Sequence, residues 1–173
     1  MNPSREVVSM CAQDILRMRV LPEKTFGKHR FRDLNSIIDR VHALFDAWEN
    51  SDSFNHTIDD QILYRTKLAV HEWLANLVQH AEFNGRTPEI SVEILPNGKS
   101  VRCVIEDNSN GFDLDAQLTA RQEVLNAFPE RGMGLLMIKS CTDVLDYEQI
   151  DHSRHRLEFV VTVNKDPWMS IPF

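Results

Sequence analysis

A surplus of positive charge, paired cysteines and a long apolar run are all missing from this chain, and each absence narrows what it can be. Acidic residues outnumber basic ones by 26 to 19, for a net charge of −7. Domains that hold nucleic acid along a whole face are usually basic, so direct nucleic-acid binding is not expected. The three cysteines, Cys11, Cys103 and Cys141, are odd in number and fit no metal-ligand spacing. Cys103 falls in a strand-like stretch and Cys141 in the middle of a helical one. Both read as reduced core thiols, which favours the cytoplasm. No apolar run approaches the roughly 18 residues of a membrane-spanning helix, and no secretory leader opens the chain, so no membrane association is expected. Repeats, low-complexity tracts and interdomain linkers are absent too. What remains is 173 residues, 42% apolar and 26% charged, the composition of an ordinary soluble domain. Residues 1–12 carry no pattern and are read as a mobile N-terminus; residues 13–173 are read as a single domain.

The patterned chain opens with alternation at Ile15 to Leu21, which predicts an edge strand ended by Pro22. Six cations between Arg17 and Arg32 (Arg17, Arg19, Lys24, Lys28, Arg30, Arg32) form either a solvated face or a docking surface for an acidic partner. Phe31 to Trp48 has helical spacing, with Asp33 as its cap. A polar stretch, 49–57, shows no clear element. A long helix is predicted from Thr57 or Ile58, with Asp59 and Asp60 in its first turn, to a stop near Asn84-Gly85. Pro88 to Leu95 and Val101 to Asp107 alternate and are joined by the Pro96-Asn97-Gly98-Lys99 turn. Helices follow at Leu114 to Phe128 and Met133 to Val144. A last hairpin pairs Leu145–Ile150 with His155–Val163, placing Leu157, Phe159, Val161 and Val163 on an inner face. The sum is an α+β chain: a mixed, mainly antiparallel sheet with helices on one face.

Three stretches carry candidate chemistry. On the long helix, Leu63, Val70, Leu74, Leu77 and Ala81 mark a buried face, while Glu72, Asn76 and His80 lie four apart as a polar stripe. A carboxylate and an amide one turn apart need partners when buried. Either a hydrogen-bond network or a ligand bearing a metal ion and a water would supply them. Next, the strand ending at Glu106-Asp107 runs into Asn108-Ser109-Asn110-Gly111-Phe112. This is either a polar turn or a carboxylate at a pocket floor, able to accept from an exocyclic amine, with Gly111 allowing close backbone approach. Last, Pro129-Glu130-Arg131-Gly132-Met133-Gly134-Leu135 is either an ordinary loop-to-helix junction or a phosphate cradle at a helix N-terminus. It is neither a dinucleotide fingerprint, lacking the third glycine, nor a P-loop, lacking Gly-Lys-Ser/Thr.

Together and in this order, the three stretches resemble the N, G1 and G2 boxes of the GHKL ATPase superfamily over about residues 13–164. The short lid, the compact length and Arg131-Gly132-Met133-Gly134-Leu135 are most similar to the RsbW-like branch of bacterial anti-sigma factors and serine kinases. The resemblance implies a two-layer Bergerat-type ATP-binding fold that uses ATP and Mg²⁺. It assigns Glu72 as general base, Asn76 as the Mg²⁺ ligand and Asp107, supported by Gly111, as the adenine-reading carboxylate. It places Arg131, Gly132, Met133, Gly134 and Leu135 around the phosphates and makes residues 114–131 the lid. His80 is read as structural.

By the same resemblance the chain is a cytoplasmic serine/threonine-protein kinase of a partner-switching system. It would phosphorylate a small anti-sigma-antagonist-like protein, sequester a sigma factor or other regulator, and form a homodimer. The alternatives are a non-catalytic docking module and a split histidine-kinase ATPase domain acting in trans. One departure stands out: Ser109 replaces the first glycine of the usual Asp-x-Gly-x-Gly. If that position takes positive φ, Ser109 carries strain of about 1 kcal/mol or more. No glycine falls between Phe112 and Gly132, so a stiff or partly helical lid is expected. The segment 49–58 reads as either a solvated loop or an insertion bearing partner specificity.

Overall fold

A computed structural model of the chain describes residues 26–51, 58–124 and 133–163. Five strands and four helices follow in the order β1 (Gly27–Phe31), α1 (Ile37–Glu49), α2 (Asp60–His80), β2 (Ile90–Asn97), β3 (Ser100–Asp107), α3 (Leu114–Val124), α4 (Gly134–Cys141), β4 (Val144–Asp151) and β5 (Arg154–Thr162). The sheet order is β1-β2-β3-β5-β4, and every pair is antiparallel. The expected mixed sheet is therefore purely antiparallel among the described residues. The two-layer α+β architecture is as the sequence predicts, with the helices on one sheet face.

Strand periodicity decides which side chains face those helices. Val101, Cys103 and Ile105 of β3, and Leu157, Phe159 and Val161 of β5, are fully buried. They meet Val70, Trp73, Leu74 and Leu77 of α2 and Ile138 of α4 in one hydrophobic cluster. Each such aliphatic or phenyl side chain contributes about 1.5–3 kcal/mol over exposure. The alternation runs on by one step at each strand end. Asp107 follows Ile105 inward and His155 precedes Leu157, and the two are opposite each other in register. This is how a sheet built for burial delivers a carboxylate to the edge of the helical layer. The opposite face is ionic: Lys28 and Arg156 each reach Glu106 at 2.7 Å, and Arg102 pairs with Glu158.

Arg65, 2% exposed, braces α2 against α4. Its guanidinium donates to the carbonyls of Cys141 (3.0 Å) and Thr162 (2.7 Å) and to Asp143 Oδ2 (3.2 Å). Three acceptors make the buried cation tolerable, and they fix the C-terminal end of α4 beside α2.

Several boundaries differ from expectation. The strand expected at 15–21 lies outside the described residues. The edge strand seen is Gly27–Phe31, where a helix was expected to begin at Phe31. Phe31 fits either period, since its buried ring closes the alternation of β1. Asp33 caps no helix. Its carboxylate accepts from Asn35 N–H and Ser36 Oγ–H in the turn ahead of α1. Helix α2 starts two to three residues later than predicted, because Asp59 accepts from Gln61 N–H at 2.8 Å and sets the N-cap. It stops at His80, because Ala81 is extended; the left-handed pair Asn84 (φ 50°) and Gly85 (φ 75°) turns the chain beyond it.

Cys141 is the last residue of α4 rather than mid-helix, and Val163 lies past β5, 47% exposed, not on the inner face. Of the six cations between positions 17 and 32, Lys28 and Arg32 are paired, with Glu106 and Glu89. Arg17, Arg19 and Lys24 lie outside the described residues, as does most of the polar stretch 49–57. Among the described residues no helix is long and apolar enough to cross a membrane.

Candidate active site

Helix α2 supplies the polar stripe. Glu72 and Asn76 are half-buried, whereas His80 is exposed. Gly134, the first residue of α4, packs directly onto them. A Cβ there would lie 2.7 Å from Glu72 Oε2 and 3.5 Å from Asn76 Nδ2. Glycine is needed here for space, since only a bare Cα lets the N-terminus of α4 come this close to the carboxylate. No side chain caps that terminus. Its first N–H groups and the positive end of its dipole therefore stand beside a carboxylate and an amide, an arrangement that suits anions and the cations that accompany them.

The loop after β3 is held by its own side chains. Asp107 Oδ1 accepts from Ser109 N–H at 2.9 Å, and Ser109 Oγ accepts from Gly111 N–H at 3.2 Å. Asn108 bridges to Glu89 N–H and the Thr87 carbonyl, and Asn110 Oδ1 accepts from Asn84 and Arg86. The loop is thus pinned to the 82–89 turn. Ser109 is 3% exposed and does not have positive φ; the left-handed non-glycine among the described residues is Asn84. The strain expected at Ser109 is therefore not incurred. Gly111 is irreplaceable on two grounds: its φ is +66°, and a Cβ would strike the imidazole of His155.

An aromatic stack fills the end of the site behind Gly111. Trp73 lies 5.6 Å from Phe112 and 5.2 Å from Tyr147, centroid to centroid. Phe112 lies 5.2 Å from Tyr147, and Tyr147 stacks on His155 at 5.7 Å. Burial, and then the neighbouring Asp107 carboxylate, push the Tyr147 phenol well above its ordinary value, so it stays protonated. Around this stack, Trp73 Nε1, Asn76 Nδ2, Asp107 Oδ2 and His155 Nδ1 are buried without a hydrogen-bond partner. Buried polar atoms are nearly always paired, so four orphans in one neighbourhood point to a ligand or water that completes them.

A cleft of about 380 Å³ opens beside these groups, lined among others by Trp73, Asn76, Ser109, Gly111, Phe112 and Leu135. Asp107 is not part of its wall. It is 2% exposed, whereas Ser109 and Gly111 just after it do line the cleft. The structure thus groups Glu72, Asn76, Gly134 and Leu135 at the α2–α4 junction and Asp107 and Gly111 at the end of β3; of these, Asn76, Leu135 and Gly111 line the cleft. Met133 sits at the N-cap of α4. Arg131 and Gly132 lie outside the described residues, as does the second half of the expected lid; its first half is helix α3, anchored by buried Leu114 and Leu118. Sequence reasoning missed Trp73, Phe112, Tyr147 and His155. The available signal was strand register: pairing Asp107 with His155 would have put an imidazole beside the carboxylate.

A model of the histidine kinase-like ATPase domain matches residues 35–161. Nineteen chains of solved structures are significantly similar. One is the catalytic domain of the histidine kinase ThkA in a nucleotide-free form, with 16% identity and a TM-score of 0.43, covering 82% of this chain and 98% of that one. No curated protein matches.

Proposed function

Because the chain belongs to the histidine kinase-like ATPase domain family, we propose that it is an ATP-binding regulatory protein of a partner-switching system: a serine/threonine kinase of a small anti-sigma-antagonist-like protein, which also sequesters a sigma factor or another regulator. The observation that carries this reading is the packing of Glu72 and Asn76 against the bare N-terminus of α4 at Gly134. Phosphoryl transfer asks a protein mainly for positioning and charge stabilisation, and that junction offers a base, an amide oxygen and uncapped N–H groups together. Asn76 would hold Mg²⁺ through its amide oxygen, a hard ligand suited to that ion. When bound, Mg²⁺ neutralises phosphate charge. Glu72 would accept the proton of the attacking serine hydroxyl. Gly132, Met133 and Gly134 would present backbone N–H groups to the phosphates, with Arg131 and Leu135 flanking them. Asp107 would accept from the amine of adenine through Oδ2, its unpartnered oxygen. A homodimer in the cytoplasm, without membrane or nucleic-acid contact, completes the reading.

A second reading is a non-catalytic docking module. The observation in its favour is that Asp107 stands outside the cleft wall. The two part on one assay: incubation with γ-labelled ATP and serine-bearing anti-sigma-antagonist-like proteins. Acid-stable label that disappears in Glu72→Ala supports the kinase. Acid-labile label on a histidine indicates a trans-acting histidine-kinase domain, and no label on any partner indicates docking alone.

A further inference from the structure

The two ends of the site differ in access. The cleft reaches Asn76 at one end but stops at Gly111 and Phe112 at the other, short of Asp107. Of the four stacked rings, Trp73, Tyr147 and His155 stand on regular elements, whereas Phe112 stands on the loop between β3 and α3. It is also the most exposed of the four, at 38%.

We propose that Phe112 is a gate over the base end of the site. In the closed form the phenyl ring occupies the face of Trp73 and bars the way to Asp107. A planar, amine-bearing heterocyclic base enters when the Phe112 side chain swings out, and the base then takes the ring's place against Trp73. The proposal rests on the nucleotide reading above and deepens it. An exocyclic amine would donate to Asp107 Oδ2, satisfying one of the orphaned atoms. The aromatic face of the base would restore the contact that the phenyl gave up.

A gate has a signature that a platform lacks. Apparent affinity falls by the fraction of molecules that are open. With the open form at about 10% of the population, the upper end for minor states, removing the gate tightens binding about tenfold. Opening ahead of binding also makes the observed rate level off as ligand rises. The chain has three tryptophans, so Trp48→Phe with Trp168→Phe leaves Trp73 as the single reporter. In that background, Mg-ATP binding is followed by stopped-flow fluorescence and, independently, by calorimetry, with Phe112 intact, as Phe112→Leu and as Phe112→Ala. Phe112 is on a loop and part-exposed, so the variants should keep the fold, which circular dichroism checks.

The expected result is a rate plateau in the parent, a linear rise in Phe112→Ala with about tenfold tighter binding, and Phe112→Leu between them. Weaker binding in Phe112→Ala, or identical linear kinetics in all three, overturns the gate and leaves the nucleotide reading standing. Absence of ATP binding in every protein overturns both.

Discussion

The α2–α4 junction and the β3–β5 end of the same cleft are built on opposite plans. At the junction, Glu72 and Asn76 are half-buried, the bare Cα of Gly134 packs directly onto them, and Asn76 lines the cleft. At the sheet end, Asp107 and His155 are buried and a stack of four rings fills the space. On the reading proposed above, the first would be assembled before its ligand arrives and the second would have to open. A chain built this way would spend part of its binding free energy on rearrangement at the base end while keeping the reacting groups positioned at the other.

The largest effect that would sharpen this contrast is at Glu72. Glu72→Ala should lower phosphoryl transfer by about 10²–10⁴-fold, the usual contribution of a positioned base, while ATP affinity measured by calorimetry changes little. Transfer at the normal rate would remove Glu72 from the chemistry. Next comes Gly134→Ala. Its Cβ would press within 2.7 Å of Glu72 Oε2, and displacing the carboxylate by about 1 Å is expected to cost on the order of 10²-fold in rate. Thermal unfolding should move little, because the clash is with a side-chain tip.

At the closed end the order reverses, with stability suffering first. Gly111→Ala forces alanine to φ +66° and into the His155 ring. It should destabilise by about 1–3 kcal/mol in urea unfolding and abolish base recognition. Equal behaviour of the two glycine variants would erase the distinction between the ends.

How much of this was legible beforehand depended on the range of the interaction. The α2 stripe was readable because Glu72, Asn76 and the apolar positions between them follow one local period. The β2–β3 hairpin was readable because Gly98 can take φ +56° where the chain must turn. The edge strand at Gly27–Phe31 was not, since five residues ending in a phenylalanine fit a helix start equally well. The behaviour of Ser109 was not either. Whether a serine there is strained depends on the Asp107 carboxylate and the Gly111 N–H closing hydrogen bonds around it. The aromatic stack was hidden for a different reason. Trp73, Phe112, Tyr147 and His155 come from four separate segments, and only strand register and helix placement bring them together.

The smallest effect lies on the far face of the sheet and serves as a control away from both ends. Burial alone would raise the Glu106 carboxyl, but hydrogen bonds from Lys28 and Arg156 outweigh it and hold the group below its ordinary value. A depressed carboxylate stabilises the fold above its unfolded-state value of about 4.5 and loses that contribution as pH falls through the lower folded-state value. Glu106→Gln should therefore cost about 1 kcal/mol or less at pH 7, the range of partly exposed ion pairs. It should also flatten the acid limb of the stability curve, with ATP binding unchanged. A loss of ATP binding in that variant would tie the ionic face to the site.

The central claim is that Asn76, Asp107 and the N-terminus of α4 form one Mg-ATP site. Calorimetric titration with ATP, with and without Mg²⁺, on the wild-type protein and Asp107→Asn tests it most directly. The account predicts saturable, magnesium-dependent binding in about the micromolar-to-millimolar range typical of enzyme substrates, lost in the variant. No binding heat at millimolar ATP, or binding that Asp107→Asn leaves untouched, would contradict it.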